Sequence, residues 1–170
     1  MSRRRPSRSS PVVLAPPPLA AGNLAAGSSS TDDGRVPLSD VASAESSSTP
    51  VGVLVVDDQA LFRDVARVLV AALPGWSVIA EAESGEEGVE LAGRVRPSLV
   101  LMDVHLPGID GVEATRRIVA DDPSAAVLLM SSYGAEDLPP GADRCGAVGY
   151  VRKDELSPAT LSGCVPGTRR

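Results

Sequence analysis

Short apolar runs alternate with amphipathic stretches from Val51 onward. Each run is bounded by charged residues, Gly or Pro and is too short for a core helix, which is typical of strands that are buried on both faces. The alternation predicts a parallel sheet covered by helices on both sides. The five predicted strands are Val53 to Val56, Val78 to Ala82, Leu99 to Met102, Val127 to Met130 and Ala147 to Val151.

The segments between the first strands carry helical signals. The first segment has apolar residues at helical spacing and stops at Leu73-Pro74-Gly75, so it predicts a helix with an apolar face. Ser84 and Glu87 have the spacing of a capping box, and we expect the second helix to begin at Ser84. A third helix is expected to start after Asp110 and to run to Val119. The apolar face of the first helix is formed by Leu61, Val65, Val68 and Ala72, beside Phe62 and Leu69.

Proline and glycine weaken the last two predicted helices. Pro139, Pro140 and Gly141 interrupt the segment before the fifth strand, and Gly163 and Pro166 shorten the segment after it. Proline lacks a backbone N–H and clashes with the preceding turn, while glycine is a poor helix former. We therefore expect frayed structure in both segments.

The first fifty residues differ in composition from the rest of the chain. They contain 7 Pro, 12 Ser and 3 Gly but no aromatic residue, and such a segment buries too little apolar surface to form a core. We predict a disordered tail over residues 1–50, a folded domain over residues 51–161 and a short C-terminal tail over residues 162–170. Too few residues follow the fifth strand for a DNA-binding helix pair or a catalytic module.

Charge and cysteine content argue against several classes of protein. The net charge is −6, and the tail has five Arg against four acids, so the domain is acidic and is not expected to bind nucleic acid. No apolar run approaches the roughly 18 residues of a membrane span, and three prolines at residues 16–18 interrupt the candidate signal peptide. Cys145 and Cys164 have no partner at metal-ligand spacing, so we interpret both as free thiols of a cytoplasmic protein.

Candidate site residues follow four of the five predicted strands. Asp57-Asp58 follow the first strand, Asp103 the third, Ser131-Ser132 the fourth and Arg152-Lys153 the fifth. In an open parallel α/β sheet the carboxyl ends of the strands meet along one edge, and ligands bind there. We therefore expect three carboxylates, two hydroxyls and an ammonium in one pocket.

Such a pocket is suited to phosphoryl transfer. Neighbouring carboxylates repel each other unless a cation lies among them, and ligands that are all oxygen favour a hard ion, Mg²⁺. With that ion and Lys153 offsetting the charge, one carboxylate can attack a phosphoryl group and become an aspartyl phosphate. Each residue alone has a plainer interpretation: Asp57 or Asp58 as a helix cap, Ser131 or Ser132 as a turn residue, the lysine as a surface charge. Lys153, however, is the only lysine of the chain.

Four motifs, in this order, resemble the receiver domain of bacterial response regulators. They are VLVVDDQ at residues 53–59, LVLMDVHLPGIDG at 99–111, LMSS at 129–132 and GYVRK at 149–153. The resemblance covers roughly Val51 to Leu161 and is closest to receivers of LuxR/NarL-type regulators, which usually precede a helix-turn-helix output domain. It implies a CheY-like, flavodoxin-like doubly wound sheet of five parallel strands.

The resemblance also implies the donor of the phosphoryl group and the ligands of the metal ion. Asp103 becomes the phosphoacceptor, which takes the group from a sensor histidine kinase or a phosphotransfer protein. Asp58, Asp103 and the backbone carbonyl of His105 become direct Mg²⁺ ligands, while Asp57 contacts metal-bound water.

Further residues are implied to act after transfer. Ser131 takes the position of the switch hydroxyl, which hydrogen-bonds a phosphoryl oxygen, and Lys153 pairs with another oxygen. Tyr150 takes the position of the aromatic switch residue, which rotates inward. Ser132 stands where the family favours a small residue. His105 and Tyr133 stand where side chains screen the acyl phosphate from water and so tune its lifetime.

Other interpretations stay open on the sequence alone. The chain could be a receiver fold that binds proteins without phosphorylation, or a truncated DNA-binding regulator. An aspartate-nucleophile phosphatase would need a second acid two residues after the nucleophile, whereas position 105 is His, so we do not expect an enzyme. The motifs identify neither the kinase nor the output protein.

Overall fold

The structure is a computed structural model that describes residues 50–165. The predicted disordered tail up to residue 49 and the last five residues of the predicted C-terminal tail lie outside the described residues. Within them the strands are β1 Val51–Val56, β2 Trp76–Ala82, β3 Leu99–Asp103, β4 Ala126–Ser131 and β5 Gly149–Arg152. The α-helices are α1 Ala60–Ala71, α2 Gly85–Val95, α3 Gly111–Asp121 and α4 Pro158–Cys164.

All five strands pair in parallel, in the order β2-β1-β3-β4-β5. This confirms the predicted doubly wound, flavodoxin-like sheet and each of the five strand positions. Because β1 and β3 are neighbours although β2 lies between them in the chain, the winding reverses at this pair. The carboxyl ends of such a pair are where doubly wound sheets bind ligands.

The sheet separates two apolar cores. Successive side chains of a strand point to opposite faces, so Val53 and Leu101 pack toward α1 and α4, while Leu54 and Met102 pack toward α2 and α3. These four side chains are all fully buried. Since helices cover both faces, the central strands have no solvent side, which is why they appear in the sequence as continuous apolar runs.

The buried face of α1 is not the one that the spacing of apolar residues predicted. Leu61 and Val68 are 78% and 71% exposed, and Val65 and Ala72 are exposed as well. Because α1 is apolar around much of its circumference, the pattern allowed two faces, and the sheet packs against the one with the small side chain of Ala66 at its centre. The residues of α1 that contact the core are Arg63, Ala66 and Val70, with Phe62 and Leu69 beside them.

The predicted helix signals at α2 and α3 are confirmed. Ser84 Oγ accepts a hydrogen bond from Glu87 N at 3.3 Å, and the Glu87 carboxylate accepts from the backbone N–H of Glu83. Asp110 caps α3 by accepting from Glu113 N at 2.8 Å. These bonds satisfy N–H groups that the first turn of a helix leaves without partners.

The interruption of the segment between β4 and β5 is also confirmed. It contains two single 3₁₀ turns, Ala135–Asp137 and Ala142–Arg144, joined through Gly141 at φ 87°. After β5, α4 is only seven residues long. Both cysteines have free thiols, as expected. Over residues 50–165, none of the helices combines the length and apolar character that a membrane crossing requires.

Candidate functional site

Three carboxylates meet at the carboxyl ends of β1 and β3. Asp57 and Asp58 leave the end of β1, Asp103 is the last residue of β3, and one oxygen from each lies within 4.8 Å of the others. Asp57 and Asp103 are buried, whereas Asp58 is exposed to solvent. The sequence prediction that these three acids converge is therefore correct.

Lys153 supplies a positive charge to the cluster from two strands away. It follows β5, and its side chain, 9% exposed, extends so that Nζ lies 2.7 Å from Asp57 Oδ2 and 3.1 Å from Asp103 Oδ2. Its ammonium also lies 4.8 Å from the centre of the Phe62 ring on α1. The lysine is thus part of the buried cluster and not a solvated surface charge.

The cluster has more negative charge than its own residues neutralise. Burial raises the pKa of Asp103, Lys153 opposes that rise, and the neighbouring charge of Asp57 adds to it. Asp57 Oδ1 accepts from Gln59 N at 2.9 Å, and the buried Oδ2 is paired with the Lys153 ammonium at 2.7 Å. Two acids share one lysine here, which leaves carboxylate oxygens available to a cation.

The loop from β3 to α3 is held close to Asp103. The His105 backbone N–H points to Asp103 Oδ1 at 3.4 Å. Gly111 begins α3 so near the strand that a Cβ there would lie 2.0 Å from the Asp103 carbonyl oxygen, so only glycine fits. At the middle of the loop, Glu86 of α2 accepts from Ile109 N at 3.0 Å. These contacts fix the backbone of the loop that follows Asp103.

The predicted switch residues meet at the backbone of Tyr133. Ser131, at the end of β4, is 1% exposed, and its hydroxyl accepts from Tyr133 N at 3.1 Å. The hydroxyl of Tyr150 on β5 donates to the Tyr133 carbonyl, and burial raises the pKa of Tyr150. The backbone N–H and the backbone carbonyl of Tyr133, which flank its Cα, are therefore bound by the two predicted switch side chains. Ser132, the small residue, is exposed.

His105 and Tyr133 form a pair beside the acidic cluster. Their ring centres are 5.3 Å apart and the rings are inclined at 71°, an edge-to-face contact. His105 is exposed, and Tyr133 is 58% exposed. The two residues that the sequence grouped by resemblance are thus in direct contact, although they belong to loops after different strands.

Two neighbouring residues of α1 were missed by the sequence interpretation. Phe62 lies against the Lys153 ammonium, and Arg63 donates to the backbone carbonyl of Asp57 at 2.7 Å. Their position within a helical turn of Asp58 was the available signal, because a side chain at the start of the helix after Asp57 and Asp58 is close enough in the chain to reach these acids. Phe62 was assigned only to the helix pattern, and Arg63 was given no role.

Comparison with known proteins agrees with this geometry. Residues 53–162 match the response regulator receiver domain family. The chain belongs to this family. It is 38% identical over 103 residues to the response regulator GacA of Pseudomonas viridiflava, covering 61% of this chain and 48% of that protein. The chain thus spans about half the length of such curated relatives.

Solved receiver structures have the same fold. The signal receiver domain of the putative response regulator NarL from Mycobacterium tuberculosis is 28% identical, with a TM-score of 0.64 over 69% of this chain and 97% of that one. The CheX-CheY-BeF3-Mg complex from Borrelia burgdorferi is 28% identical, with a TM-score of 0.56 over 66% of this chain and 84% of that one. This receiver therefore has the CheY-like architecture of two-component signalling proteins.

Proposed function

We propose that this receiver accepts a phosphoryl group on Asp103 from a phosphohistidine of a sensor histidine kinase or a phosphotransfer protein. The observation that carries the proposal is the position of Asp103: a buried carboxylate with Asp57 and Asp58 beside it and an ammonium 3.1 Å away. A carboxylate oxygen attacks phosphorus, the P–N bond breaks, and the imidazole retains that electron pair. Phosphoryl transfer of this kind needs positioning and charge stabilisation more than covalent help.

The residues of the cluster fit Mg²⁺. Their donors are all oxygen, which hard cations prefer, and three carboxylates lie together with the single ammonium of Lys153 to offset them. Asp58, Asp103 and the His105 carbonyl would hold the ion directly, and Asp57 would hold it through water. When bound, the ion supplies positive charge that offsets the carboxylates and the phosphoryl oxygens. The name of the Borrelia complex includes both magnesium and a beryllium fluoride, which supports a metal site here.

After transfer, Lys153 pairs with one phosphoryl oxygen and Ser131 donates to another. In the structure the Ser131 hydroxyl accepts from Tyr133 N, so turning it toward the phosphoryl group releases one of two bonds to the backbone of Tyr133. The other bond runs from the Tyr150 hydroxyl to the Tyr133 carbonyl. Phosphorylation is thus coupled to the loop after β4 through Tyr133, and the loop and Tyr150 present the altered surface to an output protein.

His105 and Tyr133 tune the lifetime of the phosphate. Their edge-to-face pair beside Asp103 limits the approach of water to the acyl phosphate without taking part in transfer. The receiver itself acts as a signalling module and not as an enzyme on external substrates. That part of the proposal is supported by His105 standing two residues after Asp103, where a phosphatase needs an acid. A cytoplasmic location stays a prediction from the sequence.

The experiment is the intact mass of the full chain after incubation with acetyl phosphate and Mg²⁺. The proposal expects one added phosphoryl group, absent from Asp103→Ala and absent when the metal is chelated. If the folded wild-type protein gains no group and also fails to bind beryllofluoride with Mg²⁺, the phosphoacceptor proposal is wrong. A receiver fold that binds proteins without phosphorylation then becomes the better account.

A further inference from the structure

Arg63 connects three parts of the fold next to the acidic cluster. It lies in the first turn of α1 with 11% of its side chain exposed. Nη1 donates to the Asp57 carbonyl at 2.7 Å, Nη2 pairs with Glu83 at 2.5 Å, and Nε lies 3.5 Å from Glu81. A buried charge is stable only when it is paired in this way. The guanidinium therefore joins α1, the loop after β1 and the carboxyl end of β2.

The bond to the Asp57 carbonyl acts on the next residue. That carbonyl belongs to the peptide group between Asp57 and Asp58, and the group is planar. A donor fixed on its oxygen sets the tilt of the plane, and with it the direction in which Asp58 leaves the loop. The Asp58 carboxylate is exposed, and no hydrogen bond within residues 50–165 holds its side chain. Its direction must therefore come from the backbone.

We propose that Arg63 is a positioning residue for the divalent cation, holding the Asp57-Asp58 peptide so that the Asp58 carboxylate faces Asp103. This inference rests on the metal site of the proposed function. Arg63 can orient this peptide without adding net positive charge next to the cation, because its guanidinium is paired with Glu81 and Glu83. Groups that orient metal ligands typically contribute about 10- to 100-fold to metal affinity.

Arg67 offers a matched control one turn further along α1. It shares Glu81 with Arg63 and also pairs with Asp64, but it is half exposed and has no contact with Asp57. The variants to compare are Arg63→Met, which keeps the apolar stem, Arg63→Lys, which keeps the charge without the planar fork, and Arg67→Met. Each is titrated with MgCl₂ by calorimetry without phosphodonor, and its rate of adduct formation from acetyl phosphate is measured against Mg²⁺ concentration.

If Arg63 only positions the metal ligands, its loss should weaken Mg²⁺ binding but leave the phosphorylation rate at saturating Mg²⁺ nearly unchanged. Arg63→Met should raise the Kd for Mg²⁺ about tenfold, while its rate at saturating Mg²⁺ stays within about twofold of wild type. Arg63→Lys should lose less affinity, and Arg67→Met should bind within about twofold of wild type. If Arg63→Met folds and binds Mg²⁺ like wild type, or if Arg67→Met weakens binding equally, the inference is overturned. If Arg63→Met does not fold, Arg63→Lys decides by the same comparison.

The two proposals fail in different ways. A wild-type protein that binds no Mg²⁺ in the calorimeter overturns both the metal site and the role of Arg63. A wild-type protein that binds Mg²⁺ but gains no phosphoryl group overturns the phosphoacceptor proposal alone, since calorimetry still measures the effect of Arg63 on the cation.

Discussion

Lys153 Nζ lies 3.1 Å from Asp103 Oδ2, although 50 positions separate the two residues in the chain. The contact exists because β4 lies between β3 and β5 in the sheet, and a lysine side chain is long enough to cross the end of one intervening strand. The same ammonium lies 2.7 Å from Asp57. One ammonium thus pairs with two buried acids that belong to different strands.

Replacing Lys153 with Met should slow phosphorylation about 100-fold, the typical cost of removing one group that stabilises developing charge in a transition state. The rate is the appearance of the phosphorylated mass with acetyl phosphate at saturating Mg²⁺. Arg152→Met is the control, since Arg152 is the neighbouring cation but pairs with Asp154 at the surface. A Lys153→Met protein as fast as Arg152→Met would show that the ammonium has no part in transfer.

Asp103→Asn should stabilise the metal-free protein near neutral pH. Burial raises the pKa of Asp103, so the folded state prefers the protonated acid more than the unfolded state does. The stabilisation from that proton is complete below the unfolded pKa of about 3.9 and is lost as pH rises through the higher folded pKa. Between these two pKa values, the free energy of unfolding of the wild-type protein therefore falls as Asp103 ionises. The Asn variant lacks this contribution because its side chain does not ionise.

Urea denaturation of both proteins from pH 4 to pH 8 with chelator tests this prediction. The free energies of unfolding should be nearly equal at pH 4 and should diverge in favour of Asn as pH rises. Added Mg²⁺ should narrow the gap, because it binds the wild-type cluster. A wild-type protein more stable than Asn at pH 7 without metal would contradict the assignment.

The sequence predicted the sheet and the acidic cluster better than it predicted α1. Strands buried on both faces leave an unambiguous apolar run, and a parallel sheet brings the acids at its strand ends together by geometry alone. Helix α1, by contrast, is apolar on two sides. The spacing of its apolar residues therefore does not show whether Ala66 or Leu61 faces the sheet. The choice depends on how closely the helix approaches the strands, which no local pattern contains.

The same limit explains why two site residues were missed. Phe62 and Arg63 act on the cluster through a ring face and a backbone carbonyl, and neither contact has a motif of its own. The backbone bonds of Ser131 and Tyr150 to Tyr133 likewise depend on where a loop runs after the strand ends. Residue types at strand ends predict which groups converge, whereas the loops decide which atoms they bind.

The Phe62 ring should matter because it is aromatic and not only because it is apolar. Lys153 Nζ lies 4.8 Å from its centre, and a contact of this kind stabilises a cation by about 0.5–1 kcal/mol. Phe62→Leu should therefore slow phosphorylation by acetyl phosphate by about 2- to 5-fold, while Phe62→Tyr should keep the wild-type rate. If Phe62→Leu is folded and is phosphorylated as fast as wild type, Phe62 contributes only through packing.

The exposed face of α1 should be a contact surface for the protein that donates the phosphoryl group. A donor histidine must come within bonding distance of Asp103, so the surface around it has to cover residues next to the cluster. Leu61 lies three positions after Asp58 and is 78% exposed, and Val68 continues the same apolar face at 71%. Exposed apolar residues that adjoin one another are typical of interaction sites.

Leu61→Glu and Val68→Glu should each reduce transfer from the cognate histidine kinase about tenfold or more, as expected for central apolar residues of an interface, and leave phosphorylation by acetyl phosphate within about twofold. Phosphorylation by acetyl phosphate depends only on the pocket, whereas transfer from the kinase also requires contact with the exposed face of α1. Ile79→Glu is the control, because Ile79 is another exposed apolar residue but belongs to β2. If Ile79→Glu impairs transfer from the kinase as much as the α1 variants do, the effect comes from added charge and the α1 face is not the donor's contact surface. If the α1 variants also slow phosphorylation by acetyl phosphate, the exposed face of α1 is needed for the structure of the pocket. It is then not shown to be a contact surface for the donor.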